Sequence, residues 1–115
     1  MHWQAKVQQE LDRAEAARAG GNEGMARVCA RRAAGWTAKA YLATLGIDLK
    51  TNSVLEQMRH LLHQEASKAE LREILEHLLT PKQKDDLHSD SYFPLNVDLV
   101  AEARRLLTIL FPEEA

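Results

Sequence analysis

The stretch EGMARVCARRAAGWTAKAYLATL, residues 23–45, carries the longest helical pattern in the chain and decides its fold. Asn22 is a favourable N-cap residue, and Glu23 suits the positive end of the helix dipole. Gly46 follows the last apolar residue and is typical of a helix end. At about 1.5 Å per residue this helix would span roughly 34 Å, which is enough to cross a small domain.

The side chains of this central helix are small or apolar almost all round, so we expect neighbours to pack on several of its sides. Its main apolar stripe is predicted to comprise Met25, Cys29, Ala33, Trp36 and Ala40. Further buried positions are predicted at Ala26, Ala30, Thr37, Tyr41, Leu42 and Leu45. The polar residues are predicted to share one arc, formed by Arg27, Arg31, Arg32 and Lys39.

Apolar periodicity and capping residues predict four more helices. The first is predicted at about Trp3–Ala19, and the last runs from Asn96 or Asp98 to about Leu110. Between them, a capping box at Ser53–Glu56 starts a helix at about Val54–Gln64, and a second box at Ser67–Glu70 starts another. In the third helix Leu55, Met58 and Leu62 are predicted to face the core. In the fourth, the predicted core stripe is Leu71, Ile74, Leu75 and Leu78.

Strand patterns are missing from the sequence, and short loops between long amphipathic helices favour antiparallel neighbours. The predicted fold is therefore all-α, an up-and-down bundle of four main helices plus one or two short helices. We expect a single domain over residues 1–115, in which Thr80 and Pro81 begin a short turn and residues 82–96 are irregular.

The bulk composition limits the classes of function. A net charge of -2 excludes a molecule that is basic as a whole, although a local basic patch remains compatible with it. Cys29 is the single cysteine, so no internal disulfide can form and a reducing compartment is expected. The sequence has no apolar signal core and no long apolar run. A cytoplasmic protein without membrane contact is therefore predicted, and no cofactor is expected.

Arg72 and His77 form the first candidate site, because an arginine can bind phosphate and a histidine can move a proton. On a regular helix five residues separate them by about 140°, so the two side chains do not converge without a partner chain or a distorted turn. The alternative is a solvated helix face on which Arg72 pairs with Glu76 and Glu73 pairs with His77.

Three further clusters have both a functional and a structural interpretation. A metal ion would suit the cluster of Glu56, His60 and His63, which His88 and Asp90 from the loop could join. A cluster of surface side chains is the favoured interpretation, so no metal site is assigned. The arc of Arg27, Arg31 and Arg32 would contact nucleotide or RNA phosphates, or it is simply the polar face of the central helix. Tyr92 and Phe93 either anchor their loop to the bundle or form an interface.

The order of these segments resembles that of HEPN domains, small helical-bundle domains of prokaryotes and higher eukaryotes. The resemblance rests on LDRAEAARAGGNEG, MARVCARRAAGWTAKAYLATLGI, SVLEQMRHLL and DLVAEARRLLTIL, with a Tyr-Phe-Pro loop before the last segment, and covers almost the whole chain. It implies a bundle of four to five helices, usually a homodimer, and an association with nucleotide or RNA biology.

The resemblance also implies alternative functions. Many HEPN domains work beside a nucleotidyltransferase partner, and some are metal-independent endoribonuclease toxins, as in toxin–antitoxin pairs. Catalytic members carry Arg, a polar residue and then His, and Arg72, Glu73 and His77 fit that spacing, with the pair meeting its copy in the dimer cleft. However, the polar residue is usually Asn, Asp or His, and residues 91–94, Ser-Tyr-Phe-Pro, replace an Arg-Tyr-Pro type sequence.

These departures favour a non-catalytic or accessory module that dimerises and serves a nucleotidyltransferase partner or binds nucleotide or RNA. The first alternative is an endoribonuclease that uses Arg72 and His77. The second alternative is a helical bundle that binds a metal or a small ligand.

Overall fold

Five α-helices and a final 3-10 turn form the described part of the chain, residues 2–79 and 97–114, in the computed structural model. The elements are α1 (Trp3–Ala19), α2 (Glu23–Thr44), α3 (Val54–Gln64), α4 (Ala69–Leu79), α5 (Leu99–Leu110) and the 3-10 turn Pro112–Glu114. The predicted all-α fold is confirmed. The predictions for the Thr80–Pro81 turn and for the loop to residue 96 lie outside the described residues.

Local side chains set the starts of three helices as predicted. Asn22 Oδ1 accepts a hydrogen bond from the N–H of Met25 at 3.0 Å, and Ser53 Oγ accepts one from Glu56 N–H at 3.2 Å. Asp98 caps α5 by accepting from the two N–H groups of residues 100 and 101. These bonds satisfy N–H groups that the first turn of a helix leaves without a partner.

The two capping boxes are less complete than predicted. Ser53 N–H donates to Thr51 Oγ1 at 3.1 Å, so a threonine before the helix takes the place expected for the glutamate of the box. Helix α4 begins at Ala69, and the carbonyl of Lys68 accepts the first helical bond, from Arg72 N–H at 2.9 Å. Lys68 is therefore the residue directly before α4, a position that was predicted for Ser67.

Glycines with positive φ follow α1 and α2. Gly21 has φ +83° and Gly46 has φ +79°, a region that side chains with a Cβ adopt only with strain. In each turn the next residue's N–H reaches back five positions, from Asn22 to Ala17 O at 2.7 Å and from Ile47 to Leu42 O at 2.9 Å. This arrangement satisfies the last carbonyls of both helices and fixes the direction of the following chain.

Contacts at the two ends of the bundle give the direction of α1, α2 and α5. Arg18 near the end of α1 binds both Glu23 at the start of α2 and Asp98 before α5. At the opposite end, the ring of Phe111 lies 4.5 Å from that of Trp3 and 6.1 Å from that of Tyr41, measured between centroids. Helix α1 therefore runs antiparallel to both α2 and α5.

Helix α4 runs antiparallel to α5, because His77 near its end contacts Glu102 and Glu70 near its start contacts Arg105. The four helices α1, α2, α4 and α5 thus alternate in direction along the chain. Helix α3, which has 11 residues as α4 does, is inserted between the second and third of them. This is the predicted up-and-down bundle with an additional short helix.

The core of α2 is rotated from the predicted stripe. Its buried side consists of small residues and one leucine: Ala26, Cys29, Ala30, Ala33, Ala34, Gly35, Thr37, Ala38 and Leu42. Met25 and Leu45 are 44% and 46% exposed, so the prediction that they are buried was wrong. Helices α1, α3 and α5 all pack on α2. Such close packing needs small side chains at the centre and moves the larger ones outward.

In α3, Met58 is buried as predicted and the predicted Leu62 is half-buried against the core. The prediction for Leu55 was wrong, because it is exposed, and Leu61 is buried in addition. The predicted stripe of α4 is confirmed, since Leu71, Ile74, Leu75 and Leu78 are all buried. All five α-helices contribute to one apolar core. In the described ranges, none of the helices combines the length and apolarity that crossing a bilayer requires.

Candidate functional site

The basic arc predicted on α2 is divided between two surfaces. Arg31 is half-buried, and its Nε donates to the carbonyl oxygen of Leu78 at 2.8 Å. This bond places a cation at the carboxyl end of α4, where it interacts favourably with the helix dipole. Burial, together with the positive charge of Arg27, lowers the pKa of Arg31. Arg31 thus links α2 to the carboxyl end of α4, and half-buried Arg27 lies near it.

Arg32 and Lys39 lie on another side of α2 and are exposed. They line a cavity of about 240 Å³, here called the Trp36 groove, between α2 and the start of α3. The residues that line it are Arg32, Gly35, Trp36, Lys39, Asn52, Val54 and Gln57. Most of its surface is apolar.

The floor of the Trp36 groove depends on the contact between Gly35 and Val54. A Cβ built on Gly35 would lie 2.7 Å from Val54 Cγ1, which is closer than two carbon atoms approach. The absence of a side chain at this position therefore allows α3 to begin directly against α2. Gln57 holds the preceding loop, because its Nε2 donates to the carbonyl oxygen of Thr51 at 2.8 Å.

Positive charge surrounds the indole of Trp36. Lys39 Nζ lies 5.5 Å from the ring centroid, and Lys6 Nζ, from α1, lies 5.6 Å from it. These are cation–π distances. Among the residues that the structure describes, none of those lining the groove is acidic. The carboxylate of Asp48 accepts a hydrogen bond from Lys50 N–H at 2.9 Å. This bond is the main cause that lowers the pKa of Asp48, and the positive charge of Lys39 adds a small contribution.

This chemistry suits a planar ligand that carries negative charge. An indole offers a stacking surface, and arginine and lysine bind phosphate or carboxylate oxygens. The first turn of α3, which begins at Val54, adds the positive end of a helix dipole beside the same cavity.

The sequence contained part of this signal, because Arg32, Trp36 and Lys39 recur at the spacing of one helix face. Our prediction placed Trp36 in the core stripe. The half-buried ring does pack against the core, but it also lines the groove. The contribution of Lys6 and of residues 52–57 comes from distant segments, whose meeting depends on the tertiary structure.

Arg72 and His77 lie apart on α4. Arg72 Nη1 donates to the carbonyl oxygen of Ala66 at 2.8 Å, back toward the start of the helix. His77 Nδ1 lies 3.0 Å from Glu102 Oε1, across the α4–α5 contact. The predicted helix pair of Glu73 with His77 is therefore replaced by a pair between helices.

Glu102 is a residue that our sequence interpretation missed. It is 7% exposed, and its second oxygen accepts from Arg105 Nη1 at 2.9 Å. Arg105 also binds Glu70 at 2.9 Å, so a chain of charged groups joins α4 to α5. A glutamate among the buried apolar residues of α5 is the signal that points to it, since buried charges require partners.

Glu56, His60 and His63 do share a surface, a shallow depression that Leu49 and Arg59 also line. Within residues 2–79 and 97–114, however, no three His, Cys, Asp or Glu side chains are arranged to hold a metal ion. His88 and Asp90, proposed as further ligands, and the interface residues Tyr92 and Phe93 lie outside the described residues.

Cys29 is buried in the core, as predicted. Burial raises the pKa of its thiol, and the neighbouring carboxylate of Glu10 raises that pKa further. A nucleophilic cysteine needs a lowered pKa and access to solvent, so this environment suits packing and not catalysis.

Comparisons with known proteins leave the family of the chain open. No family model, curated protein or solved structure matches it. The resemblance to HEPN domains therefore stays a prediction that rests on the residue patterns quoted above.

Proposed function

We propose that this chain is a non-catalytic helical module that binds a nucleotide unit, free or within RNA, in the Trp36 groove. One observation carries the proposal: an indole lies among three basic side chains, Arg32, Lys39 and Lys6, beside a cavity whose lining, in the described part of the chain, contains no acidic residue. A stacking surface with adjacent cations is the combination that nucleic-acid-binding proteins use to hold a base and its phosphate.

The size of the groove agrees with one base. Its volume of about 240 Å³ lies just below the ~300–1,000 Å³ usual for sites that enclose whole small molecules. A planar ring can enter such a cavity while its charged substituents remain at the rim. Arg32 and Lys39 line the groove and are exposed, so their charges are accessible to phosphate oxygens.

The accessory role follows from the resemblance to HEPN domains. On that basis, we propose a homodimer that works beside a nucleotidyltransferase or another protein acting on RNA. The exposed groove supports this role, because a module that presents a nucleotide to a partner has to leave part of the ligand accessible.

Calorimetric titration with 5′-AMP tests the proposed site. We expect Trp36→Leu to weaken binding by about 5- to 150-fold, since stacking of a base on an aromatic ring contributes ~1–3 kcal/mol. Lys39→Gln keeps the indole ring of Trp36. It should also weaken the binding of 5′-AMP, but not the binding of adenosine, which has no phosphate. Trp3→Phe is the matched control, because Trp3 lies in the aromatic cluster with Phe111. Equal affinities for 5′-AMP in wild-type protein and in folded Trp36→Leu would rule the site out.

A metal-independent endoribonuclease is the second candidate function, and one observation favours it. The contact between His77 Nδ1 and Glu102 would orient the histidine for proton transfer. Against it, Arg72 binds the Ala66 carbonyl and does not meet His77 within one chain. Incubation of RNA with the purified protein in a chelator tests this candidate. Cleavage that is lost in His77→Ala would support it, and intact RNA would exclude it.

A further inference from the structure

Two basic residues of the Trp36 groove, Arg32 and Lys39, lie on either side of Trp36 along the backbone of α2. Arg32 precedes Trp36 by four residues and Lys39 follows it by three. At about 1.5 Å per residue, these offsets are about 6 Å in one direction and about 4.5 Å in the other. All three residues line the same cavity. A base stacked on the ring would therefore have one basic residue of α2 toward each end of the helix, with side chains long enough to reach its flanking groups.

This two-sided arrangement distinguishes between ligands. In 5′-AMP or ADP, all phosphate groups are attached on one side of the nucleoside and reach one of the two cations. An internal nucleotide of a strand carries a phosphate on its 5′ side and another on its 3′ side. We propose that the Trp36 groove holds an internal nucleotide of single-stranded RNA, with Arg32 and Lys39 on its two flanking phosphates. This inference rests on the proposed function.

Two properties of the site favour a single strand over a duplex. The indole can stack only on a base whose face is open, whereas bases in a duplex are covered by their neighbours. The exposed face of α2 also extends beyond Arg32 to Val28 and Met25, which are 38% and 44% exposed. These two apolar side chains, one and two turns before Arg32, provide a surface for the next base of the strand.

Adenosine 3′,5′-bisphosphate and ADP are a matched pair of probes, because both carry two phosphate groups on one adenosine. The bisphosphate has them on opposite sides, and ADP has both on one side. We expect the bisphosphate to bind the full chain at least tenfold more tightly than ADP in calorimetric titration. In Arg32→Gln and in Lys39→Gln this preference should fall to about threefold or less. Arg59→Gln, a change of an exposed arginine outside the groove, is the control and should keep the full preference.

The salt dependence of binding to a ten-residue oligoadenylate RNA gives a second measurement. Each phosphate contact contributes about -0.7 to the slope of log K against log salt for single strands. Arg32→Gln should therefore make the slope shallower by about 0.7, and Arg59→Gln should not change it.

The outcomes separate this inference from the proposed function. If 5′-AMP and ADP bind and the bisphosphate binds no better than ADP, the two-sided inference is overturned while the nucleotide site stands. If none of the three nucleotides binds, both fail. An unchanged salt slope in folded Arg32→Gln would likewise remove the role of Arg32 on a phosphate.

Discussion

Gly35 is the residue on which the shape of the groove depends, and its substitution is the first prediction. In Gly35→Ala the new Cβ would meet Val54 Cγ1 at 2.7 Å and Val54 Cγ2 at 3.0 Å. Overpacking of this kind costs ~1–3 kcal/mol, and the better helix propensity of alanine offsets at most about 1 kcal/mol. We expect a net loss on the order of 1–2 kcal/mol in the free energy of unfolding, measured by urea denaturation.

Gly24 is the matched control on the same helix. Its Cβ would have only Asn22 Oδ1 nearby, at 3.8 Å, so Gly24→Ala should leave stability equal or raise it by up to about 1 kcal/mol. The double variant Gly35→Ala/Val54→Ala removes the two shortest contacts and leaves only the one with the Cβ of residue 54, at 3.1 Å. It should therefore be more stable than the sum of the single changes indicates. Additive losses in the double variant would show that Val54 is not the obstacle.

Asp98 connects two helices, because it both caps α5 and binds Arg18 at the end of α1. Asp98→Ala removes both contacts and should cost about 1–2 kcal/mol. Asp98→Asn preserves the cap, since asparagine is an equally good N-cap residue, and removes only the charge. The side chain of Asp98 is 49% exposed, so solvent screening should limit the loss in Asp98→Asn to below about 1 kcal/mol at neutral pH.

The pH dependence of stability in these variants follows from the direction in which the fold shifts the pKa of Asp98. The hydrogen bond from Arg18 is the main cause that lowers the pKa of Asp98. A lowered pKa stabilises the fold above the carboxyl's unfolded pKa of about 3.9, and this stabilisation disappears as the pH falls through the folded value. The stability gap between wild type and Asp98→Asn should therefore be constant from pH 7 to about 5 and close below about pH 4. A gap that widens in acid would contradict the assigned pair.

The elements also show what a sequence can predict and what it cannot. Helix starts at Asn22, Ser53 and Asp98 agreed with expectation, because an N-cap is a contact between residues close in the chain. The rotation of α2 about its own axis was wrong, as exposed Met25 shows. In a helix apolar on several sides, the packing of the neighbours decides which side becomes the core, and no local pattern records it.

For the whole molecule, apolar periodicity and capping residues predicted the class of fold but not the position of the candidate site. The net charge of -2 is compatible with a basic groove, because acidic residues elsewhere balance Arg32, Lys39 and Lys6. The groove joins α2 to a segment of α3, while Lys6 reaches Trp36 from α1. Residues brought together from three helices can be recognised as one site only after the bundle is assembled.

The assembly of the bundle gives the last prediction, since Phe111 joins the two ends of the described chain. Its ring contacts Trp3 at the start of α1 and Tyr41 near the end of α2. Phe111 is half-buried, so Phe111→Ala should cost about 1–3 kcal/mol, less than the loss of a fully buried phenylalanine. For a domain of this size, such a loss lowers Tm by on the order of 5–15 °C, measurable by circular dichroism.

Tyr41→Phe is the control, because it keeps the edge-to-face ring contact and changes only the hydroxyl. We expect its Tm to stay within a few degrees of wild type, about 3 °C or less. Phe111→Ala should also leave the affinity for 5′-AMP unchanged, because the aromatic cluster and the Trp36 groove share no residue. Phe111→Ala could instead weaken nucleotide binding as much as Trp36→Leu does. In that case the groove would depend on the closure of the whole bundle and would not be a local site.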